Sequence, residues 1–141
     1  MDIKELKEIL KQHKIWMSHE HTIWMTYQDR LRFQSEGGKG KKADLKGANL
    51  KNVNLCGVNL TKADLEGANL EGAKLECSYL KGANLKNVNL KGARLEGADL
   101  EGADLEGANL KNVNLKGARL EGAELEGADL EGADLEGAKR Y

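Results

Sequence analysis

Residues 63–72 read Ala63-Asp64-Leu65-Glu66-Gly67-Ala68-Asn69-Leu70-Glu71-Gly72, two copies of one five-residue unit. The unit first occurs as Ala43-Asp44-Leu45-Lys46-Gly47 and runs nineteen times without a missing leucine, to Ala133-Asp134-Leu135-Glu136-Gly137. With leucine as position zero, position minus two is always small: fourteen Ala, four Val (Val53, Val58, Val88, Val113) and Ser78. Residues two apart in an extended segment point to the same side, so the small residue and the leucine share one interior. Position minus one holds eight Asn and six Asp, types that hydrogen-bond adjacent backbone. Position plus two holds fourteen Gly and three Asn, which tolerate positive φ, with Lys62 and Cys77 as exceptions. Each unit is therefore a short extended piece followed by a corner. Corners of one sense wind the chain into an all-β solenoid lined with leucine.

A helix is excluded by the strict five-residue period and by glycine at fourteen of the nineteen plus-two positions, each costing a helix up to about 1 kcal/mol. The chain has no proline, which suits backbone that donates hydrogen bonds to a neighbouring coil along its length. The repeats occupy most of the 141 residues, so the organisation is one domain with an N-terminal appendage.

The appendage is residues 1–33. Ile3, Leu6, Ile9, Leu10, His13, Trp16, Met17, Ile23, Trp24, Tyr27 and Leu31 fall on a stripe of helical spacing, with Asp2 and Glu5 forming a weak capping box. The spacing predicts two α-helices with Ser18 capping the second; one uninterrupted helix is the alternative. Trp16 and Trp24 lie on the same stripe, as a face that covers an end of the solenoid or meets another chain. His13, His19, Glu20 and His21 match no zinc spacing, and on a helix His19 and His21 point roughly 200° apart, so no metal is expected. Residues 34–42, rich in Gly and Lys, read as a linker, and residues 43–141 as the solenoid.

Net charge is −1, but it is unevenly spread. Residues 1–42 carry nine basic and six acidic side chains, residues 43–92 seven and five, and residues 93–137 four and twelve. This balance argues against direct nucleic-acid binding. No apolar run approaches the ~18 residues of a membrane span, and two cysteines without a hydrophobic leader read as a cytoplasmic protein with reduced thiols.

The Ala-(Asp/Asn)-Leu-x-x motif over residues 43–137 closely resembles the pentapeptide-repeat family. The resemblance implies a right-handed quadrilateral β-helix with four pentapeptides per coil, hence about 4.75 coils and a rod of roughly 23 Å. Charge pairing at position plus one does not itself select four sides. A twenty-residue spacing gives nine opposite and four like pairs, whereas fifteen gives eleven and two. With four sides, Asn49, Asn69, Asn89 and Asn109 stack as a ladder ending in Asp129, and Lys46, Glu66, Lys86 and Glu106 stack as alternating ion pairs. Residues 83–107 and 108–132 are identical except for Asp99 against Glu124, so each copy is turned by one face.

The repeats contain no histidine and no nucleophile paired with a base, so no catalysis and no cofactor are expected. The primary expectation is a rigid scaffold or protein-interaction module. The alternative comes from the resemblance, which includes quinolone-resistance members that mimic DNA and bind DNA gyrase. The acids Asp99, Glu101, Asp104, Glu106, Glu121, Glu124, Glu126, Asp129, Glu131, Asp134 and Glu136 would form that surface, with Tyr79 as the one outward aromatic of the repeats. Trp16 and Trp24 are the candidate contacts of the appendage. Cys56 and Cys77 fall on one face in adjacent coils, near enough to pair, but the cytoplasmic setting favours two free thiols. Leu125, Leu130 and Leu135 form the last inward layer, so end-to-end homodimerisation through that open end is expected.

Overall fold

The computed structural model describes Lys4, residues 16–17, residues 23–24 and residues 43–141. From residue 43 onward the chain repeats one local geometry. The residue at minus one forms a parallel bridge with the residue twenty positions later, beginning Asp44↔Asp64, Asn49↔Asn69, Asn54↔Lys74 and Asn59↔Tyr79. Every bridge down to Arg119↔Lys139 keeps this offset. One coil is therefore twenty residues, or four units, and the solenoid has four flat faces.

The backbone accounts for its donors unit by unit. The leucine N–H donates to the minus-one carbonyl of the next coil, as in Leu65 to Asn84 at 2.8 Å. The plus-two N–H donates to the next coil's plus-one carbonyl, as in Gly67 to Lys86 at 2.8 Å. The minus-one N–H donates the other way, as in Asp64 to Ala43 at 2.8 Å. The minus-two N–H closes the corner by returning to the preceding leucine carbonyl, as in Ala68 to Leu65 at 2.9 Å.

That leaves the plus-one N–H, and here the Asn/Asp preference is explained. At all fourteen positions where minus one is Asn or Asp, its Oδ1 accepts this N–H, at 3.0–3.3 Å. A buried or edge-facing backbone donor needs a partner, and a short side-chain carbonyl two residues back supplies it.

All nineteen plus-two residues have positive φ, between 53° and 70°, and the plus-one residues do not. With the corner bond this is a type II turn. Lys62 (φ 58°) and Cys77 (φ 55°) take the same conformation as the glycines despite their Cβ atoms, so the coil overrides local preference at both. Inside, the sixteen leucines from Leu45 to Leu120 are at most 3% exposed, alternating with buried Ala and Val. Ser78 takes a buried small position, and its hydroxyl has no hydrogen-bond partner among the described residues, an energetic cost inside an otherwise apolar stack.

The appendage departs from expectation. Residues 16–17 (β1) and 23–24 (β2) pair as an antiparallel ladder, Trp16 opposite Trp24 and Met17 opposite Ile23. These four residues are extended, not helical as the spacing predicted, whereas Lys4 is helical. The physical reason lies in the residues: Trp and Ile favour strands, and a pair of short apolar clusters fits a hairpin as well as a helical stripe. The remaining positions of the expected helices, the candidate histidines and the linker lie outside the described residues.

Gly72 and Gly67 offer a test of the corner. A Cβ at Gly67 meets nothing within 4 Å, whereas a Cβ at Gly72 collides with Asn52 Oδ1 in the coil before. Gly67→Ala should cost about 1 kcal/mol from φ alone, and Gly72→Ala should cost about 1 kcal/mol more. Urea unfolding of Gly72→Ala, Asn52→Gly and their combination should show the excess disappear in the double variant; additive costs would count against stacked corners.

Candidate interaction surface

Outward side chains at minus one form four columns. The first face carries Asp44, Asp64, Asn84, Asp104 and Glu124; the second carries Asn49, Asn69, Asn89, Asn109 and Asp129. The third carries Asn54, Lys74, Arg94, Asn114 and Asp134; the fourth carries Asn59, Tyr79, Asp99, Arg119 and Lys139. On the second face Asn89 Nδ2 donates to Asn69 Oδ1 at 3.1 Å, a rung of the expected asparagine ladder. The first face adds Asn84 Nδ2 to Asp64 Oδ1 at 3.1 Å.

The plus-one side chains pair from coil to coil. Lys46–Glu66 (3.0 Å), Lys51–Glu71 (3.1 Å), Lys81–Glu101 (2.8 Å), Lys86–Glu106 (2.8 Å), Lys111–Glu131 (2.8 Å) and Lys116–Glu136 (2.9 Å) are all twenty residues apart. The expected Lys46, Glu66, Lys86, Glu106 stack thus resolves into two pairs. Glu66 turns instead toward Asn84 Nδ2, at 3.5 Å. Lys86 and Lys111 each reach a second acid, Asp104 and Asp129, both at 3.2 Å, so the twenty-five-residue duplication repeats one ion-pair cluster on the next face.

These pairs change the meaning of the acidic stretch. Of the twelve acids in residues 93–137, ten lie in ion pairs: Glu96, Asp99, Glu101, Asp104, Glu106, Glu121, Asp129, Glu131, Asp134 and Glu136. Glu124 and Glu126 have no ion pair among the described residues. Lys81 holds the Glu101 carboxyl below its ordinary range, and the Glu131 N–H does the same for Asp129. Glu66 and Glu106 push the paired Lys46 and Lys86 ammonium groups upward. All are surface interactions, each a small contribution that weakens with salt; those of Glu101 and Asp129 disappear as pH falls through their lowered carboxyl values, and those of Lys46 and Lys86 as pH rises through their raised ammonium values.

Five minus-one positions lack Asn or Asp: Lys74, Tyr79, Arg94, Arg119 and Glu124. Four of the five fall on the adjoining third and fourth faces. Where the replacement is basic, the plus-one residue is Glu (Glu76, Glu96, Glu121), and Arg94 and Arg119 each lie beside theirs, at 3.5 and 3.7 Å. Arg119 is further occupied by Asp99 (3.4 Å) and Glu101 (2.7 Å). Tyr79 is 39% exposed on this side. Sequence reasoning singled out Tyr79 but not Lys74, Arg94 or Arg119; the missing signal was the coil register, which alone gathers them.

Cys56 and Cys77 are both free thiols. Cys56 Sγ donates to Glu76 Oε2 at 2.9 Å, and Glu76 Oε1 forms an ion pair with Arg94, 2.9 Å from its Nε. Burial first, and then the Glu76 carboxylate, push the Cys56 thiol up to about 11. Burial pushes Glu76 upward, but the Cys56 thiol, its own backbone N–H and the nearby Arg94 and Lys74 outweigh it, leaving it below the ordinary value. Among the described residues no group of three or more His, Cys, Asp and Glu is placed to hold a metal, and no helix is long and apolar enough to cross a membrane. Leu125, Leu130 and Leu135 are partly exposed, unlike the leucines before them. The side chains of Trp16 and Trp24 lie outside the described features.

Thiol chemistry checks this arrangement. At pH 8 iodoacetamide should label the exposed Cys77 first. Cys56 should react roughly 100-fold more slowly than in the denatured chain, because its thiolate is scarce, and Glu76→Ala should speed it. Equal rates for Cys56 in the native and denatured chain would refute the Cys56–Glu76 contact.

The family model for pentapeptide repeats matches residues 41–76, 78–117 and 103–139, with eight copies. Among curated proteins nothing matches. Among solved structures, a pentapeptide repeat protein from the cyanobacterium Cyanothece 51142, Rfr23, is 40% identical over 73% of this chain and 67% of its own, with a TM-score of 0.51. One from the Arabidopsis thaliana thylakoid lumen is 34% identical over 67% of this chain, with a TM-score of 0.56, and the match spans 63% of that protein. QnrB1, a plasmid-mediated fluoroquinolone resistance protein, is 24% identical over 67% of this chain and 59% of its own, with a TM-score of 0.32. Such proteins fold as right-handed quadrilateral β-helices, the four-sided coil seen here. With eight matched copies spread over most of its length, the chain belongs to the pentapeptide-repeat family.

Proposed function

We propose that the chain is a non-enzymatic, rigid scaffold that binds a protein partner in the cytoplasm. The observation that carries this reading is the fixed array of outward columns. Each side chain at minus one is set in register by hydrogen bonds on both sides of its residue, so a face presents side chains at a constant ~4.8 Å spacing with little loss of freedom on binding. Four of the five departures from the Asn/Asp pattern share two adjoining faces, as a contact surface would. The two free thiols suit a reducing compartment.

A second reading is a DNA mimic that binds DNA gyrase, favoured by the excess of twelve acids over four basic residues in residues 93–137. Against it, ten of those acids already hold a lysine or arginine, so the surface lacks the unbroken run of bare anions that duplex phosphates present. Affinity capture from a lysate of the source organism separates the two. The scaffold reading expects a specific protein retained after Trp16→Ala and Trp24→Ala, and no effect on gyrase supercoiling at micromolar protein. Capture of gyrase with inhibition of supercoiling would replace it with the mimic, and no specific capture would sink both.

The partly exposed layer of Leu125, Leu130 and Leu135 supports an end-to-end homodimer. Light scattering at micromolar concentration should give twice the chain mass, and Leu130→Lys should restore the monomer; a monomeric native protein would dismiss the dimer.

A further inference from the structure

On the third face two cations stand directly one above the other. Lys74 and Arg94 are bridge partners, with Leu75 N–H donating to the Arg94 carbonyl at 2.7 Å and Arg94 N–H donating to the Ala73 carbonyl at 3.0 Å. Like charges opposite each other in adjacent strands are destabilising. Each also forgoes the side-chain acceptor that Asn54 and Asn114, in the same column, supply to the N–H two residues on. The position therefore gives up local stability twice, a pattern expected where a surface serves something outside the fold.

The two cations are not equally engaged. Lys74 is exposed and forms no ion pair among the described residues. Arg94 is held through Nε alone, by Glu76 Oε1 at 2.9 Å and Glu96 Oε1 at 3.5 Å, with its side chain 55% exposed. Both acids are themselves anchored, Glu76 by the Cys56 thiol (2.9 Å) and Glu96 by Asn114 Nδ2 (2.7 Å). The Nη1 and Nη2 donors of Arg94 are left without partners among the described residues. The result is a guanidinium ion-paired at its Nε edge, with its two outer nitrogens open among the described residues. That open fork matches the two oxygens of a carboxylate. Tyr79, the minus-one residue that follows Lys74 and stands one face on, adds an exposed aromatic surface on the adjoining face.

We propose that Lys74, Arg94 and Tyr79 form a docking site for an acidic side chain of a protein partner, the carboxylate seated in the Arg94 fork. The local charges select a carboxylate over a polyanion. Lys74 and Arg94 are offset by Glu76 and Glu96, so a monoanion gains the fork's hydrogen bonds, whereas a phosphorylated segment or nucleic acid meets two fixed carboxylates. This deepens the scaffold reading and rests on it.

The test is a heteronuclear NMR titration of the full chain with a terminally blocked Ala-Leu-Glu-Leu-Ala peptide. Saturable shifts are expected at Arg94 Nε and at the amides of Lys74, Tyr79 and Arg94, and none with the Gln-containing peptide. Arg94→Lys, which keeps the charge and removes the fork, should weaken binding about tenfold with the amide spectrum otherwise unchanged. Lys91→Ala, removing an exposed cation that has no ion pair among the described residues and lies in another column, should leave binding as it was. The proposal falls if Glu and Gln peptides behave alike, if Arg94→Lys binds as well as the native chain, or if a phosphoserine peptide binds and the Glu peptide does not. Those outcomes remove this site only; the scaffold reading stands or falls by the capture experiment.

Discussion

The hydrogen bond that closes each corner, from the minus-two N–H to the preceding leucine carbonyl, is made here in a type II turn, with the plus-two residue at positive φ in every unit. Everything else follows from that turn. It swings the chain through the same angle after each extended piece, so that the leucines return to one axis and the free donors and acceptors return to the same height. The next coil then finds its partners already aligned. The demand is strong enough to hold Lys62 and Cys77 in a conformation their side chains disfavour, because a single relaxed corner would break the bonds of both neighbouring coils.

The Asn/Asp column serves the same geometry from the outside. It satisfies the one N–H per unit that neither the corner nor the adjacent coil can reach. This explains why the outer surface is so uniform, and why departures from it are informative. Lys74, Arg94 and Arg119 give up that bond, and each is followed by a Glu that partly neutralises it. Cross-coil ion pairs use the remaining charge locally, so the acidic stretch is much less bare than its composition suggests.

How much of this was legible beforehand differs by region. In the repeats, the inward leucines, the corners and the Asn/Asp role were readable because each arises within five or six residues. Tyr79 stood out as the lone aromatic, but the basic residues around it looked like scattered substitutions. In the appendage the helical stripe misled at residues 16–17 and 23–24. Eight residues separate the two Trp, a spacing that fits both a helix face and the two arms of an antiparallel pair, and only the pairing of Trp16 with Trp24 chooses.

By itself, the sequence determined the unit: which residues face inward, where the chain turns and why glycine or asparagine stands there. Those are local properties, repeated around a leucine that recurs nineteen times without exception. It did not determine how many units close a coil, since surface charges pair at least as well at fifteen residues as at twenty. Tertiary structure decided that number, through the accumulated turning of four corners and the stacking of backbone donors on acceptors twenty residues away. The same closure decided which side chains share a face, because neighbours on the surface of a solenoid are set by the coil length and not by nearness in the chain.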